Sequence, residues 1–302
     1  VWVTGETALW SELIVPRLAE LRPDVYGQWD VKTFGAAMKA AGVPTASIHR
    51  KLDGGKGATK YGVKYDALTA ALRPDTRLVV VNFPHNPTGS LLDRATFQKL
   101  CALCDARGIH LFSDEVYRLL EYDANDTLPP AASCLTKGVS LGVMSKAFGL
   151  AGLRVGWLAT RDAELLARCR AFKDYTSLCN SAPSEQLSLI ALRARERVLE
   201  RSRGLLTANL ARLDDFFARH ADTFHWVRPR AGSVAFPRLL RNIPVARFTE
   251  SLITREGVLL LPGNVYGFPG NHFRLGLGRA NLPEALERLE RFVRDGALDA
   301  LE

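Results

Sequence analysis

Four short apolar runs in the first half of the chain, at residues 77–83, 109–113, 138–144 and 154–160, show almost no polar alternation and are bounded by Gly, Pro, Asp or Ser. A strand that is apolar on both sides must be covered on both faces, which places such strands in a largely parallel sheet between layers of helix. The intervening stretches supply the helices, since apolar residues recur at helical spacing over 7–20, 32–41 and 93–107. Two further strand-like runs stand at 1–4 and 44–49. The expectation is an α/β domain over residues 1–182.

Beyond Asp162 the texture changes. Helical patterns at 162–173 and 183–220 meet at a loop over 175–182, and the second is too long for one compact α/β unit, so it is expected to link two domains. Strand-like pieces at 231–237, 258–261 and 272–277, with helices at 245–256 and 283–295, predict a smaller α+β domain over 183–302. A length of 302 residues has room for two such units.

Composition removes several classes of function. Hydrophobic residues at 47% and charged residues at 24% match a packed soluble protein, not a disordered, collagenous or coiled-coil chain. No apolar run approaches the ~20 residues of a membrane span. The opening residues lack the basic start of a signal peptide, so the expected location is cytoplasmic, with no membrane partner. The formal charge is +8, but Arg168, Arg170, Arg193, Arg195, Arg197, Arg201 and Arg203 fall at helical spacing among Glu196 and Glu200. That pattern reads as a solvated face and not a nucleic-acid surface, with small anions left as partners. The five cysteines are an odd, scattered set. Cys101 and Cys104 lie within a helical pattern, with no second pair or histidine set, and read as small buried residues, not zinc or redox chemistry. His85, His110 and His272 lack the paired spacing of a metal site.

Ligands of an open parallel sheet bind at the carboxyl ends of its strands. There the chain places Pro84-His85-Asn86-Pro87-Thr88-Gly89, then Asp114-Glu115-Val116-Tyr117, then Ser145-Lys146, with Arg154 shortly after, inside Gly149-Leu150-Ala151-Gly152-Leu153-Arg154-Val155-Gly156. Each has an ordinary structural reading as a turn, a helix cap, a surface lysine or packing glycines. A lysine directly after a buried strand is harder to read that way, because desolvation lowers its pKa and leaves the amine nucleophilic.

Taken together and in this order, these motifs resemble the class I/II aminotransferases, enzymes of fold type I that use pyridoxal 5'-phosphate. The intervals from Asn86 to Asp114 to Lys146 to Arg154 are those the family shows. The likeness extends along nearly the whole chain, and it implies a mostly parallel sheet between helices with a smaller α+β domain. It further implies that Lys146 holds the cofactor as a Schiff base and moves the substrate proton, and that Asp114 pairs with the pyridine nitrogen. Asn86 and Tyr117 would hydrogen-bond the phenolic oxygen. Arg154 and Ser145 would bind the phosphate, with backbone N–H groups around Gly5, Glu6 and Thr7 at a helix start. In Asn271-His272-Phe273-Arg274-Leu275-Gly276 the resemblance makes Arg274 the clamp for a substrate carboxylate, with Arg279 as competitor. Pro262-Gly263-Asn264-Val265-Tyr266-Gly267 is similar to the loop bordering the substrate.

Some positions depart from the family pattern. Asp30 and Lys32 occupy the places of a proline and of a ring stacked on the cofactor, which leaves Trp29 as the nearest aromatic. Val143 replaces a serine that would offer the phosphate a hydroxyl. Relatives carry several dozen residues before the point at which this chain opens, so an N-terminal segment is expected to be absent. The implied activity is transamination between amino acids and 2-oxo acids by a homodimer. Residues 82–86 and 139–146 are also similar to capreomycidine-synthase-like members, which process arginine derivatives, so a lyase, cyclase or oxidase stands as the alternative. A non-catalytic cofactor sensor would need a DNA-binding segment, and none is visible. The glycines near Arg154 do not match the Gly-x-Gly-x-x-Gly of nicotinamide enzymes.

Overall fold

The computed structural model describes residues 65–301 apart from residue 269, so the strands expected at 1–4 and 44–49, the helices at 7–20 and 32–41, and Gly5, Glu6, Thr7 and Trp29 lie outside the described residues. A short helix, α1 (Tyr65–Ala71), leads into a four-stranded sheet of β1 (Leu78–Asn82), β2 (His110–Asp114), β3 (Gly138–Val143) and β4 (Gly156–Thr160), side by side in that order.

Strand direction in this sheet follows whether a helix lies in the connection. The chain passes from β1 to β2 through α2 (Arg94–Ala106) and from β2 to β3 past α3 (Ala131–Cys134), and both pairs are parallel. Residues 144–155, between β3 and β4, hold a 3₁₀ turn (Ala151–Leu153) and no α-helix to cross the sheet, and β4 is antiparallel. The sheet is therefore mostly parallel with one reversed strand.

Helix starts follow their caps. Asp93 is extended and accepts the Thr96 N–H at 2.8 Å, which starts α2. Asp162 caps α4 (Ala163–Thr176) through the Leu165 N–H at 2.9 Å, and its other oxygen meets His110 Nε2 at 3.0 Å. Phe97, Leu100, Cys101 and Cys104 of α2 recur at helical spacing and pack with Val79, Leu111, Ala131 and Leu135 in one buried cluster.

The long helical pattern at 183–220 is two helices, α5 (Ala182–Arg193) and α6 (Arg195–Arg219), broken at Ala194. A break uncouples their faces. α6 buries Leu199, Leu206, Leu210, Leu213, Phe216 and Phe217, whereas α5 leaves Leu187 and Ile190 exposed. The stripe of apolar residues continues across Ala194 in sequence, so the periodicity alone reads one helix.

The remaining strands are shorter than their apolar patterns. β5 (Phe224–His225) pairs with β7 (Arg238–Leu239), while β6 (Val234–Ala235), β9 (Phe273–Gly276) and β8 (Leu261–Pro262) form a second antiparallel sheet with β9 in the middle. α7 (Val245–Glu256) and α8 (Leu282–Arg294) accompany them. Phe216, Phe224, Phe248, Phe273 and Phe292 form the centre of the larger core cluster, which also takes in Tyr117, Met144, Ala147 and Phe148. No described helix is long and apolar enough to cross a membrane.

Candidate active site

Register brings the polar strand ends to one edge of the four-stranded sheet. Asn82 stands opposite Asp114, and Asp114 opposite Leu141, so β1 and β2 end together. β3 runs on to Val143, and Met144, Ser145 and Lys146 follow at that edge. Because β4 is antiparallel, its first residue, Gly156, lies opposite Val143, which returns Arg154 to the same edge. A reversed strand thus delivers an arginine to the place where three parallel strands deliver their C-termini.

Short-range hydrogen bonds hold the segment carrying Lys146. The Met144 N–H donates to Val155 O at 3.0 Å, Leu150 N–H to Met144 O at 2.9 Å, and Gly149 N–H to Lys146 O at 3.0 Å. Met144, Ala147 and Phe148 are buried while Lys146 is exposed. The desolvation expected of a lysine after an apolar strand is therefore not met, because its side chain leaves a core-anchored backbone at the open edge of the sheet. Its Nζ lies 5.3 Å from the centroid of the buried Tyr117 ring. Ser145 is half-buried. Arg154 is exposed, adopts the left-handed conformation at φ 55° and ψ 36°, and donates to Ala151 O at 3.2 Å.

Asp114 Oδ1 accepts the Val116 N–H at 3.2 Å, a local turn that sets the carboxylate's direction. Asn82 ties this strand end to the next loop: its Nδ2 donates to Asp114 O at 3.3 Å, and its Oδ1 accepts the Asn86 N–H at 2.8 Å. Asn82 is buried, and a polar residue closing an otherwise apolar strand is the one sequence signal that marks it. The neighbouring Glu115 is buried as well, and its Oε1 accepts the Ala131 N–H at 2.9 Å and the Ser140 hydroxyl at 2.8 Å, binding β2 to β3 and α3.

The second sheet reaches this edge through β9. Arg274 is half-buried, and its Nη1 donates to Asn86 Oδ1 at 3.3 Å. Its guanidinium carbon lies 5.7 Å from the centroid of Tyr266, which ends the 3₁₀ turn Gly263–Tyr266. Tyr266 meets Phe236 edge-on at 5.9 Å, and Phe236 stacks on His272 at 5.1 Å, so an aromatic wall backs the arginine. Arg279 is exposed, and its backbone carbonyl accepts Asn209 Nδ2 at 2.8 Å. Of the residues singled out from sequence, Asn86 and Arg274 touch, Lys146 lies over Tyr117, and Asp114 and Arg154 share their sheet edge; Gly5 and Glu6 lie outside the described residues.

Comparison with known proteins identifies the family and the fold. The family described as aminotransferase class I and II matches residues 34–289. Capreomycidine synthase of Streptomyces vinaceus is 32% identical over 212 residues, covering 70% of this chain and 54% of that protein. The arginine–pyruvate transaminase AruH of Pseudomonas aeruginosa is 28% identical over 268 residues, covering 85% of this chain and 65% of its own. The chain therefore spans between about half and two thirds of the length of these two relatives. Among solved structures, a PLP-dependent aminotransferase from Streptococcus suis superposes with a TM-score of 0.73 at 30% identity, over 78% of this chain and 62% of that one. The PLP-dependent cyclase OrfR superposes with a TM-score of 0.74 at 31% identity, over 87% and 69%. The family match takes in every described strand, and the chain belongs to the class I and II aminotransferases, with the fold type I architecture of its solved relatives.

Proposed function

We propose that this protein is a pyridoxal-phosphate-dependent aminotransferase that exchanges an amino group between an α-amino acid and a 2-oxo acid. The observation that carries the reading is an exposed Lys146 on a core-anchored backbone, at the sheet edge shared by Asp114 and Arg154. An amine, a carboxylate and a guanidinium at one edge suit the aldehyde, pyridine nitrogen and phosphate of that cofactor. When bound, the cofactor supplies an electrophilic carbon and an electron-accepting ring.

Every other contribution comes from the chain. Lys146 Nζ would be the covalent anchor and, once displaced by substrate, the base that carries the proton from the substrate Cα to the cofactor's C4′. Asp114 stabilises a protonated ring nitrogen by its charge. Asn86 and Tyr117 hydrogen-bond the phenolic oxygen. The Arg154 fork binds phosphate with Ser145 and the backbone around Gly5 and Glu6. Arg274 holds the substrate α-carboxylate, with its guanidinium oriented by Asn86 Oδ1 and the Tyr266 ring. In this reading residues 1–182 form the larger domain and 183–302 the smaller, and the site draws on both. The protein works as a homodimer, supported by Phe172, Tyr175, Leu178 and Ile190, which are 70%, 92%, 67% and 60% exposed. A reducing, cytoplasmic setting suits its five free cysteines.

A second reading, cyclisation or elimination on an arginine-type amino acid, is favoured by the likeness to capreomycidine synthase and to the cyclase OrfR. One set of measurements tests both. The purified protein mixed with pyridoxal phosphate is expected to gain a visible absorption band and a borohydride-stable adduct, and Lys146→Ala to lose the adduct. No band in the wild-type protein would overturn the assignment. Amino-acid consumption that requires added 2-oxoglutarate marks transamination; consumption without it marks the second reading.

A further inference from the structure

The loop after β1 is short of donors, because Pro84 and Pro87 have no N–H to give. It nevertheless carries Asn86, whose Oδ1 accepts Arg274 Nη1 at 3.3 Å. His85 Nδ1 lies 2.8 Å from Thr88 Oγ1 and the Gly89 N–H donates to His85 O at 2.8 Å, which closes the turn on itself. The buried Asn82 amide joins that turn to β2. Its Oδ1 accepts the Asn86 N–H at 2.8 Å and its Nδ2 donates to Asp114 O at 3.3 Å, at the Asn82–Asp114 pair that ends the β1–β2 ladder. Donor and acceptor stand on one rigid plane, so a single side chain fixes Asn86 relative to Asp114. The two bonds are unequal. The shorter one faces the loop, where prolines leave few alternatives, whereas Asp114 O also accepts the Phe83 N–H at 3.2 Å. Loss of the amide therefore loosens Asn86 more than Asp114.

We propose that Asn82 is a positioning residue that sets the spacing between two cofactor contacts, Asp114 at the ring nitrogen and Asn86 at the phenolic oxygen, and that through Asn86 it holds Arg274. The proposal rests on the pyridoxal-phosphate reading of the site. Asn82 acts through two backbone groups and needs no contact with cofactor or substrate. The Asn86 side chain hangs from the amide that Asn82 holds, so a freed amide lets its Nδ2 leave the phenolic oxygen and its Oδ1 leave Arg274. At 3.3 Å the Arg274 bond is already at the long end of the range, and a small shift breaks it. A hydrogen bond to the phenolic oxygen stabilises negative charge there, so losing that bond raises the pH at which the visible band titrates.

The test compares wild type, Asn82→Ala, Asn86→Ala and the double variant as full chains loaded with pyridoxal phosphate. Cofactor affinity and the pH midpoint of the visible band are read by titration, without turnover. Expected in Asn82→Ala is cofactor binding weakened about fivefold to tenfold, the loss of about one buried hydrogen bond. The band midpoint should rise by about half a pH unit or more. In the Asn86→Ala background the same substitution should move the midpoint no further, whereas a residue needed only for stability lowers the urea midpoint alone. Asn82→Ser, which keeps a hydroxyl in the buried position, is read in the same way if Asn82→Ala fails to fold. A wild-type protein without the band overturns the pyridoxal-phosphate reading and this inference with it. A wild-type band with an unmoved Asn82→Ala, or an equal shift with and without Asn86, overturns the inference alone.

Discussion

At Gly89 the backbone leaves no room for a side chain. Its φ is +64°, and a Cβ there would lie 2.4 Å from the Pro229 Cβ and 2.8 Å from Ala231 O. The close approach exists because Gly89 O accepts the N–H groups of Arg230 at 2.9 Å and Ala231 at 3.1 Å, docking the loop that carries Asn86 onto the segment leading to β6. Gly89→Ala is expected to cost about 2–4 kcal/mol, from left-handed strain plus overlap. It should also raise KM for the amino acid, since the same loop meets Arg274 through Asn86. Urea denaturation and initial rates check both; an unchanged urea midpoint would show that the loop relaxes freely. The turn residues of this loop are legible in sequence because Asn-Pro-Thr-Gly is local chemistry. The role of Asn82 is not, because its two partners are brought together only by strand register.

For whole elements, the cap of α4 makes a prediction about acid. The Asp162 carboxyl is held below its usual range, first by the Leu165 N–H that it caps and then by His110. The Glu290 carboxyl is lowered in the same direction, chiefly by Arg219, and Asp93 by Thr96. A carboxyl whose pKa is depressed on folding contributes fully above its unfolded value of ~3.9 and loses that contribution as pH falls through the folded value. The melting temperature should thus drop as pH falls below about 4. Asp162→Asn should flatten that drop, since it keeps an acceptor for Leu165 but no charge to titrate. Thermal melts of both proteins from pH ~5 to ~2.5 decide it, and parallel curves would remove Asp162 from the linkage. The start of α2 at Asp93 and of α4 at Asp162 follows from sequence alone, as capping is settled within a few residues. The break at Ala194 is invisible there, because the apolar stripe runs through it while the two helices bury different faces.

Across the whole molecule, the apolar side chains left on α4 and α5 are too many for an ordinary solvated surface. Sedimentation is expected to give twice the mass of the chain, and Phe172→Glu or Ile190→Glu to weaken association at least tenfold, about 1.4 kcal/mol. A wild-type monomer at micromolar concentration would refute the homodimer. Read alone, the sequence determines the β–α alternation, the order of Asn86, Asp114, Lys146 and Arg154, and their places after apolar strands. Hydrophobic period, caps and turns are short-range properties that residues a few positions apart settle among themselves. Tertiary structure alone decides that the reversed β4 carries Arg154 back to the edge of Lys146 and that Arg274 reaches Asn86. Those meetings join residues far apart in the chain, and only the packing of the core and the register of the sheet bring them within reach.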